Sequence, residues 1–124
     1  MCGATGNGRS FWVAETRVKA GFWVGMALRL GQADGRMGVV VRRGDEDAGG
    51  ILVVLRGRAG LWVLSQLRAA DGEAGWLRAT GPAPVDEATA DAYVARQLRV
   101  DPDLWVLEFD SPDGLPPFEG KIVE

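Results

Sequence analysis

The sequence predicts an α+β domain: an N-terminal helix, a four-stranded antiparallel meander, a second helix and a final strand, with the helices on one face of the sheet. Three observations carry this expectation. Val18, Phe22, Met26 and Leu30 recur at four-residue intervals with Trp23 and Ala27 alongside, an apolar helical stripe. Four short apolar segments between residues 36 and 79 are separated by turn-rich stretches of four to seven residues, too short for parallel crossovers. Ala90, Tyr93, Val94, Gln97 and Leu98 then share one helical face.

In chain order, the first helix is expected from about Lys19 to Gly31, where Gly31, Asp34 and Gly35 break it. The β-branched run Gly38-Val39-Val40-Val41 marks a first strand over about Arg36 to Arg43. Gly44 to Gly50 is Asp- and Gly-rich turn chemistry. Strands follow at Ile51 to Arg56, Leu61 to Leu67 and Gly75 to Ala79. Gly81-Pro82-Ala83-Pro84 ends the meander and Asp86 is placed to cap the second helix. Acids at its start (Asp86, Glu87) and arginines at its end (Arg96, Arg99) suit the helix dipole, and Asp101-Pro102 stops it. Leu104 to Phe109 reads as the last strand. Residues 1–15 read as a flexible Gly-rich arm, 16–110 as one domain and 111–124 as a Pro-rich tail. Phe11, Trp12, Val13, Phe118, Ile122 and Val123 give these two ends apolar surface to bury, in their own chain or on a second copy.

Composition narrows the chemistry. At 124 residues, 47% of them hydrophobic and 25% charged, the chain has room for one ordinary globular core. No apolar run approaches the ~20 residues of a membrane span, and the start lacks a secretory h-region, so the expected compartment is the cytoplasm. The absence of histidine removes the usual neutral-pH base and every Ser-His or Cys-His pair. A single cysteine, Cys2, forms neither an internal disulfide nor a multi-thiolate site. Neither a P-loop nor a dinucleotide-binding glycine motif is present, so no cofactor is expected, and zinc, copper and iron have no suitable ligand set. Residues 1–68 hold ten Lys and Arg against five Asp and Glu, and residues 69–124 hold four against twelve. With a formal net charge of -3, neither nucleic acid nor a membrane is an expected partner.

The run Gly21-Phe22-Trp23-Val24, the loop Val41-Arg42-Arg43-Gly44-Asp45-Glu46-Asp47-Ala48-Gly49, and Ala92 to Arg99 followed by Val100-Asp101-Pro102-Asp103-Leu104-Trp105 carry a likeness over residues 16–110. In these segments the chain resembles a family of short bacterial proteins classed as a domain of unknown function. The resemblance implies an origin and a size class, and brings no catalytic or binding residues with it.

Each candidate site has a structural competitor. Cys2 after Met1 matches the placement of an N-terminal nucleophile, but nothing beyond Gly3 supports that chemistry and the chain is too short for the corresponding fold. Asp45 and Asp47 with Glu46 offer oxygens to a hard cation, yet miss the calcium-loop pattern, which favours a solvated loop. Asp101 and Asp103 flank a proline at a helix end, where two carboxylates could share acid–base work or simply cap the turn or pair with Arg42 and Arg43. Arg42, Arg43, Arg56 and Arg58 at strand ends, with Trp62, are the types enriched at binding hot spots, and solvated strand ends are their plain alternative. The expected function is a non-catalytic interaction or accessory module with a protein partner or a second copy of itself; the alternative is a small carboxylate-based or cation-assisted hydrolase.

Overall fold

The structure is a computed structural model and describes residues 19–68 and 74–124. The Gly-rich arm, Cys2, Phe11, Trp12, Val13, Val18 and the turn around Asp71 and Gly72 lie outside the described residues. Helix α1 spans Ala20–Ala33, followed by strands β1 (Gly38–Arg42), β2 (Ile51–Arg56), β3 (Leu61–Arg68) and β4 (Ala74–Arg78). Helix α2 (Glu87–Val100), β5 (Trp105–Asp110) and β6 (Lys121–Val123) complete the order.

The strands form one mixed sheet in the order β1-β5-β2-β3-β4-β6. This corrects the four-stranded antiparallel meander. Only β2, β3 and β4 pair consecutively and antiparallel. β5 inserts between β1 and β2, antiparallel to the first and parallel to the second. β6 adds a further parallel pair outside β4. The physical reason is burial. Ile51 to Leu55 are all buried, as are Leu104 to Leu107 and Phe109, and strands apolar on both faces belong in the middle of a sheet. β1 stays exposed and takes the edge.

The expectation of helices on one face is corrected as well. Ile51, Val53, Leu55, Leu64, Trp76, Trp105, Leu107 and Phe109 pack beneath α1, whereas Leu52, Val54, Leu61, Val63 and Val106 on the opposite face pack beneath α2. The connection from β4 through α2 to the parallel β5 passes over β3 and β2, a span that a 14-residue helix of ~21 Å covers. Asp86 caps that helix as expected, accepting from the Thr89 N–H at 2.8 Å.

α1 buries only the flank of its predicted stripe, Ala27 with Trp23 packed beside it. Ala20, Val24, Ala27 and Gly31 face the sheet, while Phe22 is 62% exposed and Leu30 is exposed too. Small residues win the inner face because the core beneath is already filled by rings: Trp23 lies 5.5 Å from Trp76 and 4.9 Å from Phe118 between centroids. A larger residue at 31 would meet the Phe109 ring at 2.8 Å.

Residues 111–124 return across the α1 face and lay Phe118 into the same core. Arg36 fastens this return. It donates to Asp113 through both terminal nitrogens at 2.8 and 3.0 Å, to the Leu115 carbonyl at 3.1 Å and to Asp34 at 2.7 Å. Arg78 donates to the Gly114 carbonyl at 2.8 Å, and Gly114 lies over the Trp62 ring at a positive φ of 74° that a side chain would strain. The Arg36 guanidinium, then the Leu115 amide, hold the Asp113 carboxyl well below the usual carboxylate range. A carboxyl lowered by folding contributes stability above its unfolded pKa of about 4, and that contribution fades as pH falls toward the folded value. Asp113 is 48% exposed, so solvent screens the pair and the effect is modest. Asp113→Asn is expected to lower the urea midpoint at pH 7, and the gap to the native protein should narrow between pH 5 and pH 2. A gap independent of pH would assign the loss to packing instead.

Candidate functional site

The acidic loop and the Asp-Pro-Asp segment, far apart in sequence, meet at the C-terminal end of β1. The Asp45 N–H donates to the Asp103 carbonyl at 2.9 Å, the Trp105 N–H to the Gly50 carbonyl at 2.9 Å, and the Trp105 indole N–H to the Asp45 carbonyl at 2.8 Å. Gly44 makes this closeness possible, since its α-carbon lies against the backbone of Asp103 to Trp105 with no room for a β-carbon.

The carboxylates in this joint are occupied by backbone. Asp45 accepts from the N–H groups of Asp47 and Ala48 at 3.2 and 2.8 Å, and Asp101 accepts from the Asp103 N–H at 3.1 Å. Asp47 pairs with Lys19 at 3.6 Å, and the Asp103 side chain is exposed. The same loop caps α1: the carbonyls of Glu46 and Asp47 accept from Gly21 and Ala20 at 2.9 and 3.3 Å, satisfying two helix N–H groups that lack partners within the helix. The Glu46 carboxylate lies on the space a β-carbon of Gly21 would fill, at the positive end of the helix dipole. Among the described residues no group of three or more Cys, Asp or Glu is placed to hold a metal ion. The joint is built to bind two loops and a helix start to one another.

These segments lie inside the stretch that identifies the chain. Residues 18–119 match DUF1491, described as a protein of unknown function. The chain belongs to the DUF1491 family. The fold agrees. A crystal structure of a DUF1491 family protein from Caulobacter crescentus CB15 is similar with a TM-score of 0.76 at 30% identity, covering 86% of this chain and 99% of that one. An NMR structure of a DUF1491 family protein from the same organism gives 0.75 at 29%, covering 86% and 97%. A solution structure of an A. tumefaciens protein, 22% identical with a TM-score of 0.68, covers 87% and 99% and shares the fold. No curated protein matches the chain.

In this DUF1491 chain the five predicted partner-binding residues do not form one surface. Arg56 is drawn inward, donating to Glu108 at 2.7 Å and to both oxygens of Glu87 at 3.2 and 2.9 Å, so it ties the start of α2 to β5. Trp62 is half-buried under Gly114, and its indole donates to the Pro82 carbonyl at 3.0 Å. Arg58 is exposed in the β2–β3 turn. Arg42 and Arg43 remain together at the end of β1; Arg42 donates to the Pro102 carbonyl at 3.1 Å, and Arg43 pairs with Glu46 while its guanidinium lies 5.4 Å from the Trp105 ring centroid. A shallow recess of about 440 Å³ beside α2, lined by Thr80, Thr89, Tyr93 and Arg96 among others, contains none of the predicted site residues.

What sequence reading missed is the edge itself. Met37, Val39, Val40 and Val41 are 65, 52, 40 and 57% exposed on a strand with no neighbour on its outer side among the described residues. The signal was present as an uncharged run bounded by glycine and arginine, but it reads equally as core until the strand order is known.

Proposed function

We propose that this chain is a non-catalytic interaction module of the bacterial cytoplasm that binds a protein through the outer edge of β1, with Arg42 and Arg43 as the polar rim. The observation that carries the reading is the exposure of Met37, Val39, Val40 and Val41 along a strand whose outer edge has no neighbour among the described residues. Such an edge offers main-chain donors and acceptors to an extended segment, and apolar side chains on both sides to hold it. The uncharged run gives nucleic acid and membrane headgroups little to grip, whereas an apolar strand fits it. The hydrolytic alternative loses its support because Asp45 and Asp101 already accept backbone N–H groups.

The test compares tagged full-length chain with its Val41→Lys variant as bait in extracts of the native cell. The side chain at 41 is largely in solvent, so the variant should keep its melting temperature. A protein retained by the native bait and lost from the variant is the expected result. Equal retention by both baits would sink the edge as the binding surface.

A further inference from the structure

Resting on that reading of the β1 edge, we infer that its occupant is a second copy of this chain, joined β1 to β1 in antiparallel fashion about a two-fold axis perpendicular to the sheet. The two edges of the sheet are treated differently. β6 has three residues, begins at Lys121 and follows Pro116 and Pro117, the devices that keep an edge from pairing. β1 has five residues, the stretch from Met37 through Val41 carries no charge and no proline, and its one irregularity is the bulge between Val40 and Arg42. α1 and α2 leave it open: Val39 and Val41 belong to neither buried cluster.

The strand is complementary to itself. The ladder to β5 shifts register between Val40 and Arg42, which makes Val41 an extra residue in β1. With the axis at Val40, Val40 faces its own counterpart and Val39 faces the bulged end of the second copy's strand at Val41 and Arg42, so the contacts about the axis are aliphatic. Charge sets the direction. Arg42 closes one end of the edge, and Asp110, whose N–H donates to the Met37 carbonyl at 3.0 Å, stands beside the other end. The register places Arg42 opposite Val106, and Val106 and Asp110 have the same parity on β5, so both charges lie on the α2 face. Neither has an ion-pair partner among the described residues. Antiparallel pairing brings the Arg42 end of the edge beside the second copy's Met37–Gly38 end, on the same face as the second copy's Asp110, and does so twice about the axis. Parallel pairing would bring Arg42 and Arg43 of the two copies together and repel.

A contact of one strand and four apolar side chains per copy is at the small end of specific interfaces, so dissociation is expected in the micromolar range, about 1–100 µM. Sedimentation velocity on the full chain from 5 µM to 500 µM should show monomer converting to dimer. Val41→Lys should abolish the dimer, and Phe22→Glu, on the outward face of α1, should leave it unchanged. Arg42→Asp alone and Asp110→Arg alone should each weaken it by about tenfold, and the two together in one chain should restore it. A monomer at every concentration overturns the proposal. If the β1 amides that do not bond to β5 are nonetheless protected from hydrogen exchange, the outer edge is instead covered by residues 1–18 of the same chain. A dimer indifferent to Val41→Lys also overturns it, because the contact then lies elsewhere. A monomer that still captures a protein lost with Val41→Lys would leave the edge as a binding site and refute only the second copy as its occupant.

Discussion

Replacing Gly44 with alanine is expected to destabilise the protein by about 3 kcal/mol or more, enough to remove most of the stability of a marginal domain. The added β-carbon would run into the Asp103 carbonyl and sit 2.6 Å from the Trp105 nitrogen and 2.7 Å from the Leu104 carbonyl carbon. All three are main chain, so no side chain can swing aside. Relief requires moving β5's lead-in away from the acidic loop, which stretches the Asp45–Asp103, Trp105–Gly50 and Trp105–Asp45 hydrogen bonds together. The loop also caps α1, so the helix start loosens with it. Gly35→Ala is the control. Its φ of 73° strains an alanine, but nothing lies within 4 Å of the added carbon, so the loss should be about 1 kcal/mol. Urea unfolding of both variants checks the contrast. If Gly44→Ala is no worse than Gly35→Ala, the two loops are not locked as described.

Five of the strand segments were legible; β6, which was read as part of the Pro-rich tail, and the neighbours of each strand were not. The strand limits expected at Ile51 to Arg56 and Leu61 to Leu67 reappear within a residue, because alternation, β-branching and flanking glycines are local signals. Pairing is set by what buries both faces. Ile51 to Leu55 and Leu104 to Phe109 are the two near-continuous apolar runs, and reading their continuity as central burial would have placed them side by side, with β1 displaced to the rim. The first helix misled for a related reason. The strongest periodic stripe, Phe22, Met26 and Leu30, holds large apolar residues, yet helix-to-sheet contact here is limited by space above aromatic rings, and the small residues Ala20, Val24, Ala27 and Gly31 fit it.

Of the candidate site, the residue types were legible and their partners were not. Arg42 and Arg43 stayed exposed, but Arg56 found Glu87 and Glu108 across 31 and 52 residues of sequence, a pairing fixed by α2 crossing the sheet. The Asp45 loop and Asp101-Pro102-Asp103 do come together, as main chain against main chain rather than as converging carboxylates. A motif can therefore be specific to a family because two loops and a helix start must interlock, with no ligand involved.

Phe109→Ala is expected to cost about 3–5 kcal/mol, and its coupling to Gly38 tests how α1, β1 and the C-terminal return are held together. The ring is fully buried at the end of β5, 6.1 Å from Phe118 between centroids in an edge-to-face arrangement. It fills the space left by two missing side chains: a β-carbon on Gly31 would lie 2.8 Å from its Cε1, and one on Gly38 2.6 Å from its Cδ1. Gly38→Ala alone should therefore overpack the site by about 1–3 kcal/mol. In a Phe109→Leu background the smaller side chain leaves room, and the same Gly38→Ala change should cost at least about 1 kcal/mol less, a positive coupling in a double-mutant cycle read from urea midpoints. Strict additivity of the two changes would mean that the ring does not rest on the bare Gly38 backbone. The sign of the coupling then decides whether β1 is held at the sheet edge by side-chain packing or by its ladder to β5 alone.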